Sequence, residues 1–149
     1  MGWKCDLDGG KIKVNIFELP RNKWWEHMER IVENVNLDEI SIVQNNYMKF
    51  KYLNSCNGKF YKNLKCNQIL KCCIENEALE NERFAYFIAD VYVKELNKDE
   101  VYSSLKYYKY GYNVDLSKVN KLYLILMVGH DISLDIICGS FEVTKIGNK

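Results

Sequence analysis

The clearest hydrophobic pattern in the chain lies near its C-terminus, where two apolar segments flank a short polar break. Residues 122–128 read Leu-Tyr-Leu-Ile-Leu-Met-Val, and residues 134–138 read Leu-Asp-Ile-Ile-Cys. Two runs rich in branched aliphatic residues on either side of a polar break predict a pair of neighbouring strands. Because residues 122–128 show no polar alternation, we expect this strand to be buried on both faces at the centre of a sheet.

Alternation with a period of two predicts further strands upstream. Met48, Phe50 and Tyr52 alternate with lysines, which is the pattern of a half-buried strand. Asn57-Gly58 is a strong hairpin signal, because both central positions of a type I′ turn need positive φ. On the same reasoning, strands are predicted at residues 11–18, 39–44, 47–54, 59–65 and 69–74.

Apolar residues at helical spacing predict three helices. Between residues 21 and 35, apolar side chains recur at offsets of 4, 7, 8 and 11 from Trp24, and glutamates occupy the opposite face. A similar apolar face predicts a helix over residues 80–96. Asp99 is placed to cap a shorter third helix, and Gly111 is placed to end it.

This order of elements predicts an α+β fold for the chain. Consecutive strands joined by short turns favour an antiparallel or mixed sheet of about six or seven strands, with two or three helices packed on it. The chain of 149 residues has one proline and no Gly/Ser-rich tract that would form a linker. We therefore expect one domain over residues 1–149.

The hydrophobic segments are too short for a membrane-spanning helix. The longest apolar run has seven residues, whereas a membrane-spanning helix needs ~20. The first residues, Met-Gly-Trp-Lys-Cys-Asp, contain no apolar signal core, so we expect a cytoplasmic protein. The six cysteines are then expected to be reduced thiols.

Charge is unevenly distributed, although the net charge is only +1. Residues 45–73 contain six lysines and no acid, residues 74–100 have a net charge of −5, and residues 26–39 have a net charge of −4. Such asymmetry is the part of the sequence that bears most on partners.

The sequence offers candidates for two kinds of reactive site, a thiol catalytic site and a zinc site, and the residue spacing favours neither. His130 and Asp131 precede Cys138, but this cysteine lies in an apolar run and several residues from the predicted turn, too far for a direct contact. Structural zinc sites normally bring pairs of cysteines separated by two to four intervening residues. The cluster Cys56, Cys66, Cys72 and Cys73 lacks that spacing, so we expect no catalysis, no metal and no cofactor.

The first functional hypothesis is an immunity or antitoxin type of inhibitor. Small cofactor-free α+β proteins with acidic faces are a common form of immunity proteins, which block nuclease toxins by matching a positive groove. The expected partner is a basic toxin or nuclease domain, bound by a monomer or weak dimer. The candidate residues are Glu75, Glu77, Glu80 and Glu82, followed by Glu26, Glu29 and Glu33. These acids can equally be a solvated surface.

The alternative hypothesis is nucleic-acid binding by the lysine-rich and aromatic-rich block at residues 45–73. Lysines neutralise phosphates and aromatic rings stack on bases. Alternation argues against it, because it sends the aromatic residues of 48–52 to the core and leaves only the lysines outside. The candidate residues are Lys49, Lys51, Lys59, Lys62 and Lys65.

Overall fold

The fold is known from a computed structural model, which describes residues 14–43, 47–76, 86–109, 121–129 and 132–145. Within these ranges the chain forms two short 3₁₀ helices, six strands and one α-helix. The 3₁₀ helices are Ile16–Glu18 and Arg21–His27. The other elements are β1 (Glu29–Val43), β2 (Tyr47–Asn54), β3 (Phe60–Asn76), β4 (Tyr86–Glu95), α1 (Lys98–Tyr108), β5 (Tyr123–Gly129) and β6 (Ile132–Lys145).

The six strands form a closed barrel in the order β1-β2-β3-β6-β5-β4, and every neighbouring pair is antiparallel. This confirms the coarse prediction of one small domain built on an antiparallel sheet with few helices, which is roughly α+β. The sheet, however, curls into a barrel instead of staying open. Closure leaves no long unpaired edge, which removes the main route by which sheets aggregate.

The barrel interior holds one hydrophobic core, to which all six strands contribute. Phe50, Tyr52, Leu64 and Ile136 are among its fully buried side chains. They reach the interior because alternate residues of each strand point to the same face. Burying one such large apolar side chain is worth about 1.5–3 kcal/mol, so this core is the main source of stability.

A second hydrophobic layer covers part of the outside of the barrel. The two 3₁₀ helices and α1, which together we call the cap, bury Ile16, Trp24 and Tyr108 against outward-facing residues of β5 and β6. The cap explains why β5 lacks polar alternation: Ile125 faces the interior while Leu124 lies under the cap. The prediction that residues 122–128 are buried on both faces is confirmed.

The cap helix α1 begins with a capping box. The Oδ1 atom of Asn97 accepts a hydrogen bond from Glu100 N at 2.9 Å, and the Glu100 carboxylate accepts one from Asn97 N at 3.1 Å. The third predicted helix is therefore confirmed, but its cap is Asn97 and not Asp99. It ends at Lys109, in the left-handed region, and Gly111 lies outside the described residues.

The predicted helix at residues 21–35 is wrong beyond His27, because β1 begins at Glu29. The pairing of β1 with β4 shifts register between Arg30 and Val32, and Asn34 has a positive φ of 52°. These bulges place Val32 and Val35 on the same inner face although they are three residues apart. Bulges in a strand can thus imitate the spacing of a helix.

The predicted helix at residues 80–96 is also wrong where the structure describes it. Residues 86–95 form β4, which pairs with β1 on one side and with β5 on the other. Val91 and Val93 face the barrel interior, and Tyr92 between them packs on the outer layer. Pairing on both sides outweighs the local helical pattern.

The predicted strand at residues 11–18 is wrong for its second half. Ile16–Glu18 is a 3₁₀ helix whose first turn is capped by the Asn15 side chain, and residues 11–13 lie outside the described residues. The strand predicted at 47–54 is confirmed, and 39–44 falls largely within β1. The strands predicted at 59–65 and 69–74 are parts of one long strand, β3.

Candidate functional site

The β2–β3 hairpin forms one wall of the barrel and carries most of the predicted lysines. Its loop is held by a hydrogen bond from Asn54 N to the Lys59 carbonyl oxygen and by another from Gly58 N to the Asn54 carbonyl oxygen, both 2.8 Å long. Gly58 has a φ of 72°, but Asn57 does not have positive φ. The predicted hairpin is therefore confirmed, while the predicted two-residue type I′ turn is wrong.

The side chains of β2 alternate between the interior and the outer face of the barrel, as predicted. Met48, Phe50 and Tyr52 point into the barrel, and Lys49 and Lys51 lie on the outer face. Lys49 is exposed and Lys51 is partly exposed. The lysines of β2 are thus available to a partner.

The outer face also carries two aromatic rings of the lysine-rich and aromatic-rich block predicted at residues 45–73. Lys65 Nζ lies 4.4 Å from the centroid of the Tyr47 ring, and Lys51 Nζ lies 4.3 Å from that of Phe60. Phe60 is 52% exposed. Tyr47 lies outside the barrel because it is two residues from Lys49 on the same strand. We call Tyr47, Lys49, Lys51, Phe60 and Lys65 the hairpin face.

Like charges stand next to each other on this face. Lys49 of β2 is the direct cross-strand partner of Lys65 on β3. Like charges directly opposite destabilise a sheet. Within the described residues neither of these two lysines forms an ion pair, whereas Lys51 pairs with Glu39 at 3.4 Å. Sheet stability therefore does not account for the Lys49–Lys65 pair.

The remaining two predicted lysines lie beside the hairpin face. Lys59 is exposed in the hairpin loop. Lys62 is opposite the buried Tyr52, so it follows the inner parity of β3 and sits at the mouth of the barrel. There it lines a cleft of about 160 Å³ with Arg30, Ile31, Val32, Glu33 and Tyr61. The structure thus groups Lys49, Lys51 and Lys65, and sets Lys62 apart.

The described acids of the predicted patch are spread over three elements. Glu26 is in the second 3₁₀ helix, while Glu29 and Glu33 are on β1. Glu33 forms an ion pair with Arg30 at 2.9 Å. Glu75 is exposed near the end of β3. The other three acids of the patch, Glu77, Glu80 and Glu82, lie outside the described residues.

The four cysteines of the cluster considered for zinc do not converge on one point. Cys56 is exposed in the hairpin loop, Cys66 and Cys72 line the barrel interior, and Cys73 packs on the outer layer. Adjacent residues of a strand point to opposite faces, as expected for the last two. Within the described ranges, no three His, Cys, Asp or Glu side chains are arranged to hold a metal ion.

The buried thiols are also poor nucleophiles. The Cys66 thiol is hydrogen-bonded to Cys138, and this contact together with burial raises the pKa of Cys66. Burial raises the pKa of Cys72 to about 11. Because the thiolate is the reactive form, these groups are inert near neutral pH. Cys138 is fully buried in the barrel, and His130 and Asp131 lie outside the described residues.

A buried polar cluster under the cap was not predicted. Asp135 on β6 is 3% exposed, and its carboxylate accepts hydrogen bonds from Tyr108 Oη at 2.7 Å and from Arg21 Nε at 3.2 Å. These contacts join α1 and the second 3₁₀ helix to the barrel. The cluster fastens the cap and is enclosed by it, so we assign it a structural role.

Comparison with known proteins adds a family and a fold. A family model described only as "-like" matches residues 30–145, so the chain belongs to that family. No curated protein matches the sequence significantly. The fold is similar to that in the crystal structure of an uncharacterized protein from Neisseria gonorrhoeae, with a TM-score of 0.54 and 18% identity over 78% of this chain and 95% of the other. That likeness concerns the fold alone. No helix in the described ranges is long and apolar enough to cross a membrane.

Proposed function

We propose that this protein binds nucleic acid through the hairpin face. The observation that carries the proposal is that Lys49 and Lys65 stand directly opposite each other and form no ion pair among the described residues, while Lys65 lies over the Tyr47 ring and the neighbouring Lys51 over the Phe60 ring. A polyanion relieves the repulsion between the two ammonium groups, and its bases have rings to stack on. A bound nucleic acid would thus supply the negative charge that Lys49 and Lys65 lack as ion-pair partners among the described residues of the free protein.

The acidic-patch hypothesis takes second place because its geometric basis has changed. The helix predicted at residues 21–35 is a strand from Glu29 onward, and the described part of the helix predicted at residues 80–96 is β4. The lysines, by contrast, remain together on one exposed wall. Either proposal implies a cytoplasmic monomer or weak dimer that needs no cofactor.

Charge reversal at Lys49 separates binding from folding. In Lys49→Glu, a carboxylate stands opposite Lys65, and an opposite-charge cross-strand pair adds roughly 0.2–1 kcal/mol to stability. The same variant places a negative charge in the path of a phosphate. We therefore expect weaker oligonucleotide binding with an unchanged or higher melting temperature.

The matched control is Lys98→Glu at the first residue of α1. It makes the same change in net charge and, as an acid at a helix N-terminus, also tends to stabilise the fold. Binding of a labelled oligonucleotide is measured by fluorescence anisotropy over a range of salt concentrations. For wild type, the three lysines of the hairpin face predict a slope of roughly −2 to −3 in log K against log salt. The proposal would be contradicted if both variants lost the same affinity for the oligonucleotide, or if salt did not change the affinity of the wild-type protein.

Inhibition of a basic toxin remains the second candidate, favoured by the exposure of Glu26, Glu29, Glu33 and Glu75. It is tested by capture of partners from native cell extract, with and without nuclease treatment. A stoichiometric protein that survives nuclease and is lost with Glu29→Lys/Glu75→Lys, but retained with Glu95→Lys, would support it. Charge reversal at Glu80 and Glu82 tests the rest of the patch. Recovery of nucleic acid alone would argue against it.

A further inference from the structure

The hairpin face is more than a basic patch, because lysines and aromatic rings are paired on it. Lys65 lies over Tyr47, and Lys51 lies over the half-exposed ring of Phe60. A cation over a ring is a weak and reversible contact at an exposed site. A nucleobase can take the place of the ammonium group on the ring, and the ammonium group can move to a phosphate.

Acidic side chains flank the lysines on both sides of the hairpin. Glu39 on β1 pairs with Lys51, and Glu142 on β6 is the cross-strand partner of Lys65. Lysines 49 and 65 sit on neighbouring strands, about 5 Å apart, whereas β1 and β6 are separated by three strand spacings, about 14 Å. The positive track is therefore only two strands wide, with a carboxylate on each side.

This narrow track fits one phosphate backbone and not two. In a duplex the two backbones are separated by grooves about 6 and 12 Å wide, and the bases are stacked inside, out of reach of protein rings. A second backbone would meet the flanking carboxylates. A single strand can instead follow the hairpin and offer its bases to Tyr47 and Phe60.

We infer that the ligand of the hairpin face is single-stranded nucleic acid, held by base stacking on Tyr47 and Phe60 and by phosphate contacts to Lys49, Lys51 and Lys65. The inference rests on the proposed function. Tyr47 and the partner position of Phe60, Leu53, lie at opposite ends of β2, six residues or about 20 Å apart. That span suits a short segment, on the order of 4–6 nucleotides.

The experiment compares three labelled probes by fluorescence anisotropy at low salt: a ten-nucleotide oligo-dT, an abasic strand of the same length and charge, and a ten-base-pair duplex. Oligo-dT should bind on the order of a hundredfold more tightly than the abasic strand, about tenfold for each of the two rings, since stacking requires bases. Phe60→Leu keeps an apolar side chain but removes the ring. It should weaken oligo-dT binding about tenfold, leave abasic binding unchanged and leave the salt slope unchanged, because the lysines remain.

Tyr102→Leu is the matched control, because Tyr102 is a 59% exposed ring on α1. It should bind all three probes like wild type. Equal affinity for oligo-dT and the abasic strand, or tighter binding of the duplex, would overturn the single-strand inference while leaving the proposed function in place. Binding of none of the probes would overturn both.

Discussion

Replacing Asp135 with alanine removes the acceptor that ties the cap to the barrel. In the folded protein this carboxylate is 3% exposed and receives hydrogen bonds from Arg21 and Tyr108. Both donors belong to cap elements, and Asp135 belongs to β6. The substitution therefore removes one hydrogen-bond acceptor from Arg21 and one from Tyr108.

The magnitude follows from how far each partner can return to water. Breaking a buried ion pair by removing one member costs about 3–5 kcal/mol. The Arg21 side chain keeps 27% exposure, against 4% for Asp135, so the guanidinium regains part of its hydration. We therefore expect the lower end, about 3 kcal/mol. For a chain of this size that corresponds to a fall in melting temperature of roughly 6–12 °C.

The assay is urea unfolding followed by tryptophan fluorescence and by far-ultraviolet circular dichroism. Trp24 is fully buried in the cap, with the Arg21 guanidinium 5.7 Å from its ring, so fluorescence reports on this region. Tyr108→Phe should cost about 1 kcal/mol, because it leaves one carboxylate oxygen unsatisfied. The control is Asp38→Ala, which removes an exposed carboxylate from β1 and should change stability by less than 0.5 kcal/mol.

A triple variant tests the physical reason. Asp135→Leu combined with Arg21→Met and Tyr108→Phe removes the charges and the hydroxyl together, so no buried group is left unpaired. It should be far less destabilised than the sum of its parts. A cost below 1 kcal/mol for Asp135→Ala, or additive costs in the triple variant, would refute this account of the cap.

Three further predictions concern single positions. A Cβ on Gly139 would lie 2.1 Å from Gln68 Oε1 and 3.0 Å from Gln68 Cβ, so Gly139→Ala should cost about 1–3 kcal/mol in urea unfolding. Adding Gln68→Gly to this variant removes the side chain in conflict at a position whose φ of 57° suits glycine, so the double variant should regain most of the lost stability. No recovery would point to another cause. Asn97→Ala should cost about 1 kcal/mol and speed amide exchange at Glu100, with unchanged exchange contradicting the capping box. Burial raises the pKa of Cys72 from its ordinary 9.0 to about 11. Between these two pKa values the folded protein keeps the Cys72 proton while the unfolded chain releases it. The free energy of unfolding should therefore fall as the pH rises from 9 to 11, and this fall should be smaller in Cys72→Ala.

Local patterns were enough wherever an element is regular. The alternation of Met48, Phe50 and Tyr52 predicts β2 and its two faces, because side chains of a strand alternate whatever the strand pairs with. The two apolar runs around residues 129–133 likewise predict the β5–β6 hairpin. The helix α1 was predicted because its apolar spacing and its polar start are features of nearby residues in the sequence.

Local patterns failed wherever a strand is irregular or is stabilised by pairing with strands that are distant in the sequence. The spacing of Val32 and Val35 suggested a helix, but Asn34 in the left-handed region turns both toward the interior. β4 contains Val91 and Val93 and is held by β1 and β5, which lie far from it in the chain. Register between distant strands cannot be deduced from the spacing within one of them.

The hairpin face, too, could be predicted only in part from local patterns. The lysines of residues 45–73 could be recognised from composition, and alternation places Lys49 and Lys51 outside the barrel. Their juxtaposition with Lys65, the rings of Tyr47 and Phe60 beneath them, and the flanking acids depend on how β1, β2, β3 and β6 are paired. The sequence by itself determined which residues are charged and which strand face they occupy, because these are local properties. Only the tertiary structure decided which of them meet, because barrel closure sets the register between strands.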